Sequence, residues 1–313
     1  MRMRRRTFLK SSAAQLFGAP AAMFVRVQRG PAQRLPPGRT RLAICSETFT
    51  GSSFAEACKA AWRTGYAGIE IEPAHLGPDP ATLSAAQRLE VRRIIEGEGL
   101  RYVGLHSFLK TPAGLHLTAA NSSLRRRSWD YLARLVDLAA DLGDRPVMVL
   151  GSSKQRQAIE GTKPQEAVKL LTDGLRKMAP LAEKRGVCIL MEPLAPQLCN
   201  VVNTLEEAAA IVRAVGSSAV QTIFDSHNTA AEKKPLDALL REYFPLIRHV
   251  HLNEMDGQRP GAGTFPFALV LGTLKQLRYS GWISVEVFHF KPDGETVARL
   301  AGEFLYRLEE KVP

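Results

Sequence analysis

From residue 41 onward, short apolar runs alternate with longer segments whose apolar positions recur every three or four residues. The short runs are RLAICS (41–46), AGIEIE (67–72), RYVGLH (101–106), PVMVLG (146–151), VCILME (187–192), VQTIFD (220–225), IRHVH (247–251) and WISVE (282–286). Each has the length and β-branched content of a strand. Between them, FAEACKAAWRTG, LSAAQRLEVRRIIEGEG, SLRRRSWDYLARLVDLAADLG, PQEAVKLLTDGLRKMAPLAEKRG, TLEEAAAIVRAVG and FALVLGTLKQLRYSG have helical spacing, and GETVARLAGEFLYRLEE supplies a closing helix. Several end in glycine, as helix C-termini do. Strand and helix in alternation predict a parallel sheet with helical crossovers, and eight such units predict a single (β/α)₈ TIM barrel over 41–313.

The last four runs close on Glu192, Asp225, His251 and Glu286, at intervals of 33, 26 and 35 residues. A strand-plus-helix unit of such a barrel needs about 30 residues, and the strands' C-terminal ends face its mouth. Two-residue alternation then puts Cys188 and Leu190 inward with Glu192, Ile223 with Asp225, His249 with His251, and Ser284 with Glu286. The chemistry of the set, two Glu, one Asp and one His, suits one divalent ion: Mn²⁺ first, with Mg²⁺, Co²⁺ and Zn²⁺ also compatible.

Charge changes the picture of possible partners. The net charge of +11 over 313 residues suggests nucleic acid or anionic membranes. Yet residues 1–41 hold ten of the 42 Lys and Arg and none of the 31 acidic residues, so the remainder carries a net charge of only +1. A basic nucleic-acid face is not expected on the folded domain. The basic head resembles a twin-arginine export signal: Arg5, Arg6, Phe8, Leu9 and Lys10 match its pattern, and a mildly apolar stretch follows. The division that results is a signal segment (1–25), a linker (26–40) and the barrel, with the protein exported, periplasmic and free of the membrane afterwards. Four cysteines without a CxxC pair are too few for a disulfide framework; Cys45 and Cys188 read as strand packing.

Four blocks resemble the sugar isomerase and epimerase superfamily with the xylose isomerase-like barrel, within it the D-tagatose 3-epimerase-like branch. They are EPL (192–194) with VNT (202–204), FDSH (224–227), HVHLNE (249–254) with RPGAG (259–263), and GWISVEVF (281–288). The resemblance implies that Glu192, Asp225, His251 and Glu286 are metal ligands and that Glu192 and Glu286 double as the acid/base pair. A metal chelating a ketone and the adjacent hydroxyl stabilises an enediolate. One carboxylate removes the proton between them and a second returns it on the opposite face, which inverts the centre. The implied activity is a metal-dependent epimerase or ketose–aldose isomerase acting on a small carbohydrate, and a homo-oligomer is compatible with it. His227, His106, Glu72, Glu254 and Arg259 are candidate substrate-binding residues. Phe49, Phe108 and Phe288 are candidates for an apolar wall, while Trp62 reads as core and His75, His116 and His289 as solvated loop residues.

The chain also departs from the family pattern. Ala195, Pro196, Gln197 and Leu198 stand where a substrate-binding carboxylate is common, and Gly257 stands where an arginine is, with Arg259 as the nearest replacement. These changes keep an alternative open: a lyase or deglycosidase acting on 3-keto-glycosides through the same proton abstraction. An endonuclease IV-like nuclease needs further metal-binding histidines and an aspartate where this chain has Asn253. A non-catalytic sugar-binding barrel has no use for an intact quartet.

Overall fold

The computed structural model describes residues 40–312. The signal segment and nearly all of the linker expected from the sequence lie outside the described residues. Eight parallel strands close into a barrel in chain order, β1 pairing with β8. They are β1 (Arg41–Cys45), β2 (Gly68–Ile71), β3 (Arg101–His106), β4 (Val147–Leu150), β5 (Cys188–Met191), β6 (Val220–Asp225), β7 (Ile247–Leu252) and β8 (Trp282–Val285). All eight predicted runs are strands.

Among the described residues, eight α-helices surround the barrel: α1 (Phe54–Arg63), α2 (Ala85–Gly97), α3 (Ser122–Leu142), α4 (Pro164–Arg185), α5 (Leu205–Val215), α6 (Leu236–Tyr243), α7 (Phe267–Gln276) and α8 (Gly294–Glu309). Their starts are written locally. Ser53 with Glu56 and Ser84 with Gln87 form capping boxes on α1 and α2, and the side chains of Asn121, Thr204 and Asp293 cap α3, α5 and α8. Gly186 and Gly216 end α4 and α5 in the left-handed conformation that only glycine adopts freely. α6 is the one helix absent from the sequence reading. Its eight residues, LDALLREY, lie between Pro235 and Pro245 and give barely two turns of periodicity.

Ile44, Ile69, Leu105, Ile189, Phe224, Ile283 and Val285 point outward into the layer shared with the helices. Inside, Val149, Leu190 and Ile223 form a small separate cluster flanked by Val147 and Cys188. The inward parity expected for Cys188, Leu190 and Ile223 therefore holds. The opposite half of the interior is polar. His249 on β7 bonds Glu70 on β2 at 2.8 Å, and because these strands are not neighbours the bond crosses the barrel. All four cysteines are free.

Candidate metal centre and active site

The C-terminal ends of β5, β6, β7 and β8 deliver Glu192, Asp225, His251 and Glu286 to one point. Ligand atoms of all four lie within 4.8 Å of one another, and all four residues are buried. His251 Nδ1 is 3.1 Å from Glu286 Oε2 and 3.8 Å from Glu192 Oε1. Asp225 is held by its own loop: Oδ1 accepts from the His227 amide at 2.9 Å and Oδ2 from Asn228 Nδ2 at 2.6 Å.

The electrostatics of the quartet are those of a site built for a cation. Burial, then the neighbouring Glu286 and Asp225 charges, push the Glu192 carboxyl well above the usual carboxylate range. Burial and Glu286 likewise push Asp225 up to about 6. Burial also acts to raise Glu286, but the imidazoles of His251 and His106 outweigh it and hold that carboxyl far down. Glu192 Oε1 is buried with no hydrogen-bond partner. An unpartnered buried carboxylate oxygen is costly unless a cation meets it. Three carboxylates and one imidazole nitrogen with this spacing fit a single divalent ion.

Beneath the quartet lies a feature that the sequence reading passed over. Glu70, in the middle of β2 and fully buried, accepts from His251 Nε2 at 3.1 Å and from His249 at 2.8 Å. A carboxylate on the far nitrogen of a ligating histidine fixes its tautomer and ring orientation, here leaving Nδ1 toward the quartet. Its signal was present: Glu70 shares an inward face with Glu72, two residues on. His106 is held the same way, its Nε2 on Glu47 at 2.9 Å and its Nδ1 on Glu286 at 3.1 Å. Glu47, in the turn after β1, was also missed, since it lies just beyond the run read as the first strand (41–46).

Above the quartet, a cavity of about 220 Å³ is lined by Ser107, Lys110, Gly151, Ser153, Glu192, Leu194, Leu198, His227, Asn228, Glu286 and Phe288. Of the expected substrate-binding residues, His227 is in this lining, its ring edge-on to Phe288. His106 stands next to Glu286, and Glu72 pairs with Lys110 at 3.0 Å on the same side of the mouth.

Two expected residues stand elsewhere. The Glu254 carboxylate accepts from the amides of Gly261, Gly263 and Phe265, so both of its oxygens are spent folding the RPGAG loop. Arg259 donates to the carbonyl of its neighbour Pro260 and does not line the cavity. Among the aromatic candidates only Phe288 is exposed; Phe49 and Phe108 are core. His116, expected in solvent, is buried beside Thr118, and burial lowers its pKa. Asn253 is used internally: its side-chain oxygen accepts from Ser226 Oγ and from the His227 amide, both at 2.9 Å, tying the β6 loop to β7.

A family model described as the xylose isomerase-like TIM barrel matches residues 58–308. The chain belongs to this family. Among curated relatives of this xylose isomerase-like barrel, the 3-dehydro-D-guloside 4-epimerase of Escherichia coli (strain K12) is 24% identical over 165 residues, 50% of this chain and 61% of the relative. The D-psicose 3-epimerase of Enterocloster bolteae is 31% identical over 114 residues, 36% of this chain and 38% of the relative. The matched part of the chain thus spans less than two thirds of each of these relatives. A solved L-ribulose 3-epimerase superposes with a TM-score of 0.76 at 20% identity, covering 87% of this chain and 95% of that one, which shows a shared fold.

Proposed function

We propose that this barrel is a divalent-metal-dependent carbohydrate epimerase or isomerase that removes and returns a proton on a carbon beside a ketone. The observation that carries this reading is the convergence of Glu192, Asp225, His251 and Glu286, with Glu192 Oε1 buried and without a hydrogen bond. Relatives named as sugar 3- and 4-epimerases are consistent with it. A bound divalent ion, Mn²⁺ by preference, supplies Lewis-acid polarisation of the ketone and the adjacent hydroxyl.

The protein's own groups do the rest. Glu192 leaves β5 and Glu286 leaves β8, three strands apart around the ring, so they approach a sugar seated between them from different sides. One carboxylate takes the carbon-bound proton and the other delivers a proton to the opposite face, which inverts the centre. His227 and Lys110 offer hydrogen bonds to hydroxyls, and Phe288 an apolar face for the ring. We also propose that the segment Arg4–Lys10, which resembles a twin-arginine signal, directs export and that the enzyme works in the periplasm.

A second reading draws on the cavity lining. Leu194, Leu198 and Phe288 give the cavity an apolar part of its lining, which suits the aglycone of a 3-keto-glycoside and a lyase outcome from the same proton abstraction.

Proton NMR in deuterated water tests both. With Mn²⁺-loaded protein and a panel of ketoses and 3-keto-glycosides, deuterium is expected on a carbon beside the carbonyl. Exchange should slow by about 10²–10⁴-fold in Glu192→Gln and Glu286→Gln. A released aglycone marks the lyase; an inverted centre marks the epimerase. Metal bound but no exchange with any member of the panel overturns the proposal.

A further inference from the structure

Arg156 is the largest of the fully buried side chains. It follows the helical turn Ser153–Gln155 after β4, and its Nη2 donates to the main-chain carbonyl of Glu192 at 2.6 Å. Its Nε and Nη1 have no hydrogen-bond partner among the described residues. A guanidinium out of water with donors unused opposes folding, and packing alone favours an apolar side chain at this position. The residue it grips is the one whose carboxylate oxygen is also buried and without a hydrogen bond.

Two further contacts show the β4 loop fitted around Glu192. A Cβ on Gly151 would stand 1.9 Å from Glu192 Oε2, so the carboxylate occupies the space that glycine leaves. Asn200 bonds both the amide and the carbonyl of Ala158, at 2.8 and 2.9 Å, tying the β4 loop to the loop that follows Glu192.

We propose that Arg156 is a positioning residue for Glu192: it fixes the main chain where β5 ends, and with it the point from which the carboxylate reaches the ligand quartet. This rests on reading the quartet as a metal centre. Arginine suits the task because a rigid planar group can hold a carbonyl along one edge, which the flexible ammonium of lysine does not.

Mn²⁺ affinity, measured by calorimetry and by electron paramagnetic resonance on the full chain, tests the proposal without any substrate. Arg156→Met is expected to bind Mn²⁺ about 10- to 100-fold more weakly than wild type, with Arg156→Lys between the two. In a Glu192→Gln background the same Arg156→Met change is expected to add less than about threefold, because the ligand it acts through is already altered. Asn200→Ala loosens the same pair of loops without touching Glu192, and its loss is expected to stay under about threefold. Circular dichroism checks the fold of each variant; if Arg156→Met does not fold, Arg156→Lys carries the comparison. Wild-type affinity in the Arg156 variants, an undiminished effect in the Glu192→Gln background, or an equal loss in Asn200→Ala overturns the proposal. Failure of the wild type to bind Mn²⁺ overturns the metal reading, and this proposal with it, so the two failures are read from different samples.

Discussion

At Gly151 a hydrogen atom in place of a methyl group decides where Glu192 can put its carboxylate. The added Cβ of Gly151→Ala would meet the far end of one side chain, Glu192 Oε2, and no backbone. The carboxylate can swing aside at little cost to the fold, but it then leaves the quartet. Gly151→Ala is therefore expected to unfold within about 1 kcal/mol of wild type while Mn²⁺ affinity falls by about tenfold or more, as shown by urea denaturation and calorimetry side by side. Glu254 has the reverse profile. Its carboxylate holds three amides of the loop after β7, so Glu254→Ala is expected to cost about 2–3 kcal/mol in urea denaturation and to make residues 255–265 susceptible to limited proteolysis. Both expectations follow from what each carboxylate touches. Two glutamates among the candidates, alike in type and each following a strand, are told apart only by those contacts.

Among the elements, the strands carry the site and the loops aim it. The four candidate ligands sit at or just beyond the ends of β5 to β8, where a rigid sheet fixes Cα positions. The side chains that contact them come from other elements: Glu70 of β2 bonds His251, His106 of β3 bonds Glu286, and Arg156 of the loop after β4 bonds the main chain of Glu192. Close strand pairing is part of this precision. At Gly104 on β3 an added Cβ would stand 2.0 Å from the main-chain carbonyl oxygen of Val147 on β4, and neither strand can rotate away. Gly104→Ala is expected to cost about 3 kcal/mol, lowering Tm by about 6–12 °C in a calorimetric scan. The eight strands were legible because apolar runs of this length, separated by helical spacing, have few other solutions. α6 was not, because eight residues between prolines carry too little periodicity to separate a helix from a loop.

For the whole molecule, the ion is expected to contribute to stability as well as to chemistry. Bringing Glu192, Asp225 and Glu286 together in a buried site is repulsive, and a bound cation reverses the sign of that interaction. Mn²⁺ at about 100 times its Kd is expected to stabilise the protein by about 2.7 kcal/mol, an effect that EDTA abolishes and that shrinks in Glu192→Gln. A Tm that ignores both Mn²⁺ and EDTA counts against the metal centre.

The sequence by itself determined the barrel and the strand ends on which chemistry could stand, because period and spacing are local properties read one segment at a time. It also put Glu192, Asp225, His251 and Glu286 at equivalent places in four repeats. Only the tertiary structure decided which polar residues turn those four into a site. Glu70 lies 181 residues from the His251 it orients, and His106 lies 180 from Glu286. Arg156 reaches Glu192 because the loops after the neighbouring strands β4 and β5 meet, while Glu254 and Arg259 take partners within their own loop. The bonds of Glu70 to His251 and of His106 to Glu286 depend on the closing of the ring, and no local pattern encodes a partner half the chain away.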